Sequence, residues 1–273
     1  MCGIAGSINL AAKSLPDRAM LQRMADALIH RGPEDEGFLS APGVGFAQRR
    51  LSIVGLENGQ QPIYNEDRTV AAICNGEFFE YPERRADLEA KGHVFRTHSD
   101  SEILVHLYEE YGEGLFPHLK GQFAFAIVDL ARGVVLLGRD RVGICPLFWT
   151  RQSDTVDFAS EIKALSASGM MRPEADPRGL DHLFTFFSLS SQRTAFKGVQ
   201  ALEPGHYLRI ELPQGRGAAT PVERKYWDFD FPDWGQELDG DVGHLTESFQ
   251  TVFERAVDVR LRADVPVVGY LSG

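Results

Sequence analysis

The 273-residue chain predicts an α+β domain in which helices cover stacked β-sheets. Two observations lead there. Several short apolar stretches, two of them joined as a hairpin, have strand character, and separate amphipathic helices lie between the stretches. Hydrophobic residues make up 43% of the chain, enough for a substantial core in a layered domain.

The expected strands are CGIAGSI, VGFAQRRLSIV, TVAAICNGE, FAFAIVDL, GVVLLGRD and TVDFAS. FAFAIVDL and GVVLLGRD form a hairpin around Asp129 to Gly133. A helix is expected over Asp17 to Ile29, with Met20, Leu21, Met24 and Leu28 on one face and Pro16 and Asp17 as start signals. A second is expected over Ser101 to Tyr111, presenting Ile103, Leu104, Leu107 and Tyr108. Beyond about residue 210 the chain turns rich in Gly, Pro and charge and predicts a connector. Val242 to Arg262 is again helical in pattern, and DVPVVGYLSG predicts a strand running into a loop. A strand that stops at such a loop suggests a fragment cut as a second domain begins.

The net charge of -11 argues against nucleic acid as a partner, because phosphate backbones require a basic footprint. The N-terminus has no signal-peptide pattern, and no stretch approaches a membrane span. Cys2, Cys74 and Cys145 are widely spaced and form no CxxC pair, which points to a reducing, cytoplasmic setting. No His/Cys/carboxylate group has metal-ligand spacing, so no structural metal is expected.

Cys2 follows the initiator methionine directly. Removal of Met1 would leave a cysteine whose own α-amine can take the thiol proton, placing nucleophile and base in one residue; an inert, frayed terminus is the alternative. Arg49 and Arg50 stand at a strand edge, where an arginine either clamps a carboxylate or is merely solvated. Asn75-Gly76 is either a tight turn or a pair of oxyanion donors, the Asn75 amide and the Gly76 N–H. Asp100, in THSDSE, either holds an ammonium group or shares a helix N-cap with Ser99. His30 and Arg31, in HRGPEDEG, have no catalytic partner in that stretch and suit a structural or domain-contact role.

Together MCGIAG, LIHRGPEDEG, RRLSIVGLENGQQP, CNGE, SDSE, GQFAFAIVD, GRDRVGICPLF, FASEIKAL, LEPGHYL, YWD and RLRADVPVVGYLSG, in that order, resemble glutamine-hydrolysing asparagine synthetase. The resemblance implies a class II glutamine amidotransferase domain over residues 2–210, with the four-layer αββα Ntn-hydrolase sandwich. A linker over 211–241 and the start of a truncated ATP-pyrophosphatase domain over 242–273 would follow, ending on Ser272 and Gly273 of its phosphate loop. It assigns Cys2 as nucleophile and Asn75 and Gly76 as the oxyanion hole. Arg50 would bind the α-carboxylate of L-glutamine, Leu51, Ser52, Ile53 and Val54 would wall the pocket, and Glu77 and Asp100 would hold the α-ammonium group.

The glutaminase half implies no cofactor. The full-length protein would use ATP, Mg²⁺ and aspartate, and a homodimer is compatible with this reading. The sequence departs from the family pattern at Phe78-Phe79-Glu80, at Gln122 and at Cys145, which points to a divergent member whose acceptor can be another carboxylate. A non-catalytic scaffold, or another class II amidotransferase, are the remaining alternatives. Without a synthetase core to pack on, the apolar stripe of the 242–262 helix is expected to be disordered, self-associated or buried in a contact.

Overall fold

The computed structural model describes residues 1–189, 192–213 and 220–270. In chain order the elements are β1 (Gly3–Asn9), α1 (Arg18–Asp26), β2 (Asp35–Ala41), β3 (Val44–Arg50), β4 (Ile63–Tyr64), β5 (Val70–Phe78), α2 (Tyr81–Ala90), α3 (Ile103–Tyr111), β6 (Gly121–Asp129), β7 (Val134–Arg139), β8 (Phe148–Gln152), β9 (Thr155–Ala159), α4 (Ile162–Ala167), α5 (Pro177–Phe186), β10 (Val199–Ala201), β11 (His206–Glu211), β12 (Val222–Lys225) and α6 (Val242–Asp258). Two six-stranded antiparallel sheets result, ordered β10-β8-β9-β1-β3-β2 and β12-β11-β7-β6-β5-β4.

Side-chain alternation along the strands creates four layers. In β6, Ala124, Ala126 and Val128 face the other sheet, where they meet Ile4, Ile8, Phe46 and Phe158. The intervening Phe123, Phe125 and Ile127 face outward and pack under Ile103, Leu104 and Leu107 of α3. On the first sheet, Ala5 of β1 and Ala47 of β3 face Met20, Leu21 and Met24 of α1 and Leu165 of α4. Small residues pair with the helices on one side and aromatic residues on the other, so an αββα sandwich forms around three apolar layers.

All six expected strands form, as β1, β3, β5, β6, β7 and β9, although β3 ends at Arg50 and the LSIV that was expected to continue it is not strand. Both N-terminal helices form as well, although the second opens with a 3₁₀ turn at Asp100–Glu102. Strands β2, β4, β8, β10, β11 and β12 were not expected. They are edge or near-edge strands whose mixed, partly exposed sequences carry little alternation. Val222–Lys225, read as part of the connector, pairs with β11 and extends the second sheet.

Helix α6 buries none of its residues, and Phe249, Val252 and Phe253 are exposed. The strand expected over DVPVVG does not form: residues 265–270 have no regular structure. A lone strand with no neighbouring edge leaves its backbone donors without partners. Ser272 and Gly273 lie outside the described residues.

Candidate active site

The two sheets bring the ends of β1, β3 and β5 together, and a cleft opens there. Every residue expected at the site lines it except Ser52. Ser52 turns away, donating its backbone N–H to Glu34 Oε2 at 2.7 Å.

Cys2 sits just before β1. Its Sγ receives the Leu51 N–H at 3.4 Å, and its carbonyl accepts from Arg31 Nε at 2.8 Å. Burial raises the thiol pKa, opposed by the Leu51 N–H, the Met1 ammonium and Arg50. While Met1 remains in place the Cys2 nitrogen is an amide and can accept no proton. Arg31 is a residue that sequence reasoning placed only structurally. It bridges Cys2 to Glu161, which it meets at 3.0 Å, and His30 joins the same carboxylate at 2.9 Å. Burial would raise the Glu161 carboxyl, but contacts from His30, Arg31 and Lys163 outweigh it and bring it down to about 2.

Strand alternation separates the two arginines. Arg49 faces α1 and pairs with Asp26 at 2.7 Å and Glu36 at 3.0 Å. Arg50 faces the cleft, is buried, and meets only carbonyls: Val54 O at 3.2 Å and Gly55 O at 2.7 Å from Nη2. Among the described residues it has no carboxylate partner, so its charge is available to a ligand.

Asn75 and Gly76 lie within β5, opposite Ala124 and Phe123, and so form no turn. Asn75 is fully buried, yet neither its Nδ2 nor its Oδ1 has a hydrogen-bond partner. A buried amide left unpaired costs about 1–3 kcal/mol, and this one borders the cleft. A Cβ at Gly76 would lie 2.1 Å from the Gln122 carbonyl oxygen, which restricts the position to glycine.

Ser99 takes the helix-cap role, its Oγ accepting the Ser101 N–H at 3.3 Å, and this leaves Asp100 free for the cleft. Asp100 Oδ2 accepts the Phe78 N–H at 2.7 Å. Burial and the nearby Glu77 push its carboxyl up to about 6. Burial likewise raises Glu77, which receives Gln122 Nε2 at 3.5 Å. The two acids lie close together with raised pKa values, and among the described residues neither is in a salt bridge, an arrangement suited to receiving positive charge.

Gln61, Gln122 and Cys145 also line the cleft. Sequence reasoning gave them no role, noting Gln122 and Cys145 only as departures from a pattern. Burial pushes the Cys145 thiol up to about 12. Asp140 anchors the loop that delivers it, accepting the N–H groups of Val142, Ile144 and Cys145. Phe79 and Glu80 do not line the cleft. They face the C-terminal segment: Arg262 donates to Phe79 O at 2.8 Å, and the Arg260 guanidinium lies 4.5 Å over the Phe79 ring.

The Cys2 thiol, an unpaired buried amide, the Arg50 cation and the Glu77 and Asp100 acids surround one cleft in an αββα fold. Residues 1–227 match the family model described as a glutamine amidotransferase domain. This chain belongs to that family. The amidotransferase domain is 39% identical over 287 aligned residues to asparagine synthetase [glutamine-hydrolyzing] 2 of Bacillus subtilis, covering 100% of this chain and 37% of that protein. It is 38% identical to amidase chyE of Penicillium rubens over 258 residues, 93% of this chain and 36% of the relative. Among solved structures, the glutamine phosphoribosylpyrophosphate amidotransferase of B. subtilis superposes with a TM-score of 0.59 at 20% identity, covering 82% of this chain and 49% of that one. That likeness supports the sandwich fold. The domain spans well under half the length of these curated relatives.

Proposed function

We propose that this domain hydrolyses the side-chain amide of L-glutamine with Cys2 as the nucleophile. The observation that carries this reading is the buried Asn75 amide, unpaired at the same cleft as the Cys2 thiol. With Met1 removed, the Cys2 amine takes the thiol proton and Sγ attacks the amide carbon. The resulting oxyanion is received by the Asn75 amide and the Gly76 N–H. The C–N bond breaks, ammonia leaves with the proton held by the amine, and water hydrolyses the thioester to glutamate. Arg50 holds the α-carboxylate, and Glu77 and Asp100 hold the α-ammonium group.

In the longer protein we place this ammonia in an ATP- and Mg²⁺-dependent amidation of aspartate, on the strength of the asparagine synthetase resemblance. The phosphate-loop residues Ser272 and Gly273 are outside the described residues, and no described residue is assigned to ATP or Mg²⁺. The exposed stripe of α6 is the face against which the acceptor domain would pack, with homodimerisation as the competing use. A different carboxylate acceptor is the second reading, favoured by the nearly equal identity to amidase chyE.

Ammonia release from L-glutamine, measured on a chain whose N-terminal Cys2 is verified by mass, tests the first proposal. Activity abolished by Cys2→Ala supports it. No activity in either the processed domain or the full-length protein favours a scaffold role.

A further inference from the structure

We propose that Glu66, His93, His106 and Glu109 form a tetrahedral site for a zinc-like divalent cation on the outer face of the second sheet. One ligand atom from each lies within 4.8 Å of all the others. Only His106 and Glu109 are close in sequence, being one helical turn apart on α3. Glu66 comes from the loop between β4 and β5, and His93 from the connector between α2 and α3. Spacing along the chain therefore concealed the group.

An ordinary ion-pair cluster is the alternative, and distances argue against it. His93 Nδ1 is 3.4 Å from Glu66 Oε1 and 3.7 Å from Glu109 Oε2. His106 Nδ1 is 3.5 Å from Glu66 Oε2 and 3.4 Å from Glu109 Oε2. Charge-assisted hydrogen bonds settle at about 2.7–2.9 Å, shorter than all four contacts. Zinc binds imidazole nitrogen and carboxylate oxygen at about 2.0–2.2 Å, which makes the edge of its tetrahedron about 3.4 Å. Glu66 Oε1 is taken by the Val94 N–H, so the atoms left for the ion are His93 Nδ1, His106 Nδ1, Glu109 Oε2 and Glu66 Oε2, and their three contacts at 3.7, 3.4 and 3.5 Å lie near that edge.

The surroundings complete the site. Glu109 Oε1 already accepts Asn65 Nδ2 at 2.8 Å, which leaves Oε2 for the ion. Glu66 is anchored through the Val94 N–H at 2.8 Å. Both Nδ1 atoms point at the carboxylates, and both Nε2 atoms point at a further acid: Glu110 Oε1 lies 3.2 Å from His93 Nε2, and Glu102 Oε1 lies 3.8 Å from His106 Nε2. Outer carboxylates of this kind orient metal-bound imidazoles. His106 is fully buried, and its Nε2 has no hydrogen-bond partner. Metal on Nδ1 fixes the proton on Nε2, where Glu102 faces it. The ion would pin α3 to the β4–β5 loop, steadying the turn that carries Asp100.

The test uses the 273-residue chain stripped with EDTA, incubated with ZnCl₂ and desalted. Expected is one equivalent of zinc by elemental analysis, and an intense tetrahedral d–d spectrum with Co²⁺. His93→Gln loses both signals and Glu110→Gln weakens zinc binding about 10–100-fold. Cys2→Ala retains both signals, because no thiol takes part. Absence of bound zinc in the unaltered chain, an unchanged stoichiometry in His93→Gln, or loss of metal in Cys2→Ala would overturn the site. Far-UV circular dichroism of His93→Gln separates loss of the site from loss of the fold. If that variant is unfolded, the Glu110→Gln affinity decides instead.

Discussion

Asp264 Oδ2 accepts the Gly55 N–H at 2.8 Å, and the Gly55 carbonyl in turn accepts Arg50 Nη2 at 2.7 Å. One peptide residue thus links the C-terminal segment to the cation of the cleft. The Asp264 N–H adds a second tie, to the Ile53 carbonyl at 2.9 Å, and Arg262 pairs with Glu83 at 3.1 Å. These contacts hold the loop that walls the cleft. Asp264→Ala is therefore expected to raise KM for glutamine about 10-fold, the loss of a hydrogen bond to a charged group, while kcat changes little. Steady-state ammonia release measures both; a fall in kcat at constant KM would sink this assignment.

Asn75→Ala separates catalysis from stability. Its amide has no partner in the folded protein, so truncation removes no hydrogen bond. The thermal midpoint is expected to stay level or rise, while kcat falls about 10²–10³-fold with the loss of one oxyanion donor. A variant that melts earlier with unchanged kcat would mean that Asn75 is structural.

The sequence made the sandwich legible through the central strands, because β1, β5, β6 and β7 alternate two buried faces without interruption. Edge strands such as β12 were hidden, since Val222–Lys225 owes its conformation to pairing with β11 rather than to apolar pattern. Residues on rigid strand ends could be assigned from motif chemistry, and Cys2, Arg50 and Asn75 meet at one cleft. Arg31 and Asp264 could not, because each acts by binding a backbone carbonyl or N–H far away in the chain. The His93–His106 cluster escaped for the same reason: its geometry exists only after α3 docks.

Arg31 joins the Cys2 carbonyl to Glu161, and its removal should disturb the placement of the proposed nucleophile Cys2. Arg31→Gln is expected to lower kcat about 10-fold with KM nearly unchanged. Glu161 titrates at about 2 in the folded chain, below the ordinary 4.5. Its contribution to stability is therefore present above pH 4.5 and is lost as pH falls toward 2. Arg31→Gln should shrink that acid-sensitive part, seen as a smaller drop in thermal midpoint between pH 5 and pH 3. An equal drop in both proteins would rule out the Arg31–Glu161 pairing as its source.

Asp100 gives the site its expected pH dependence. Its carboxyl titrates at about 6 in the free domain, so under the proposed reaction glutamine's ammonium group would meet a neutral acid below that pH. kcat/KM is expected to fall about 10-fold per unit below pH 6, and Asp100→Asn should flatten that limb while raising KM. Stability runs the other way. Raised from 3.8, the group is still protonated in the fold where the unfolded chain has already ionised, so stability falls as pH rises from about 3.8 to 6. A shift of that size corresponds to about 3 kcal/mol at neutral pH. Asp100→Asn should accordingly melt higher than the unaltered domain at pH 7, with the gain gone by pH 3.5. If the substitution destabilises the domain equally at both pH values, the buried carboxylate is a structural acceptor for the Phe78 N–H and not a strained binding group.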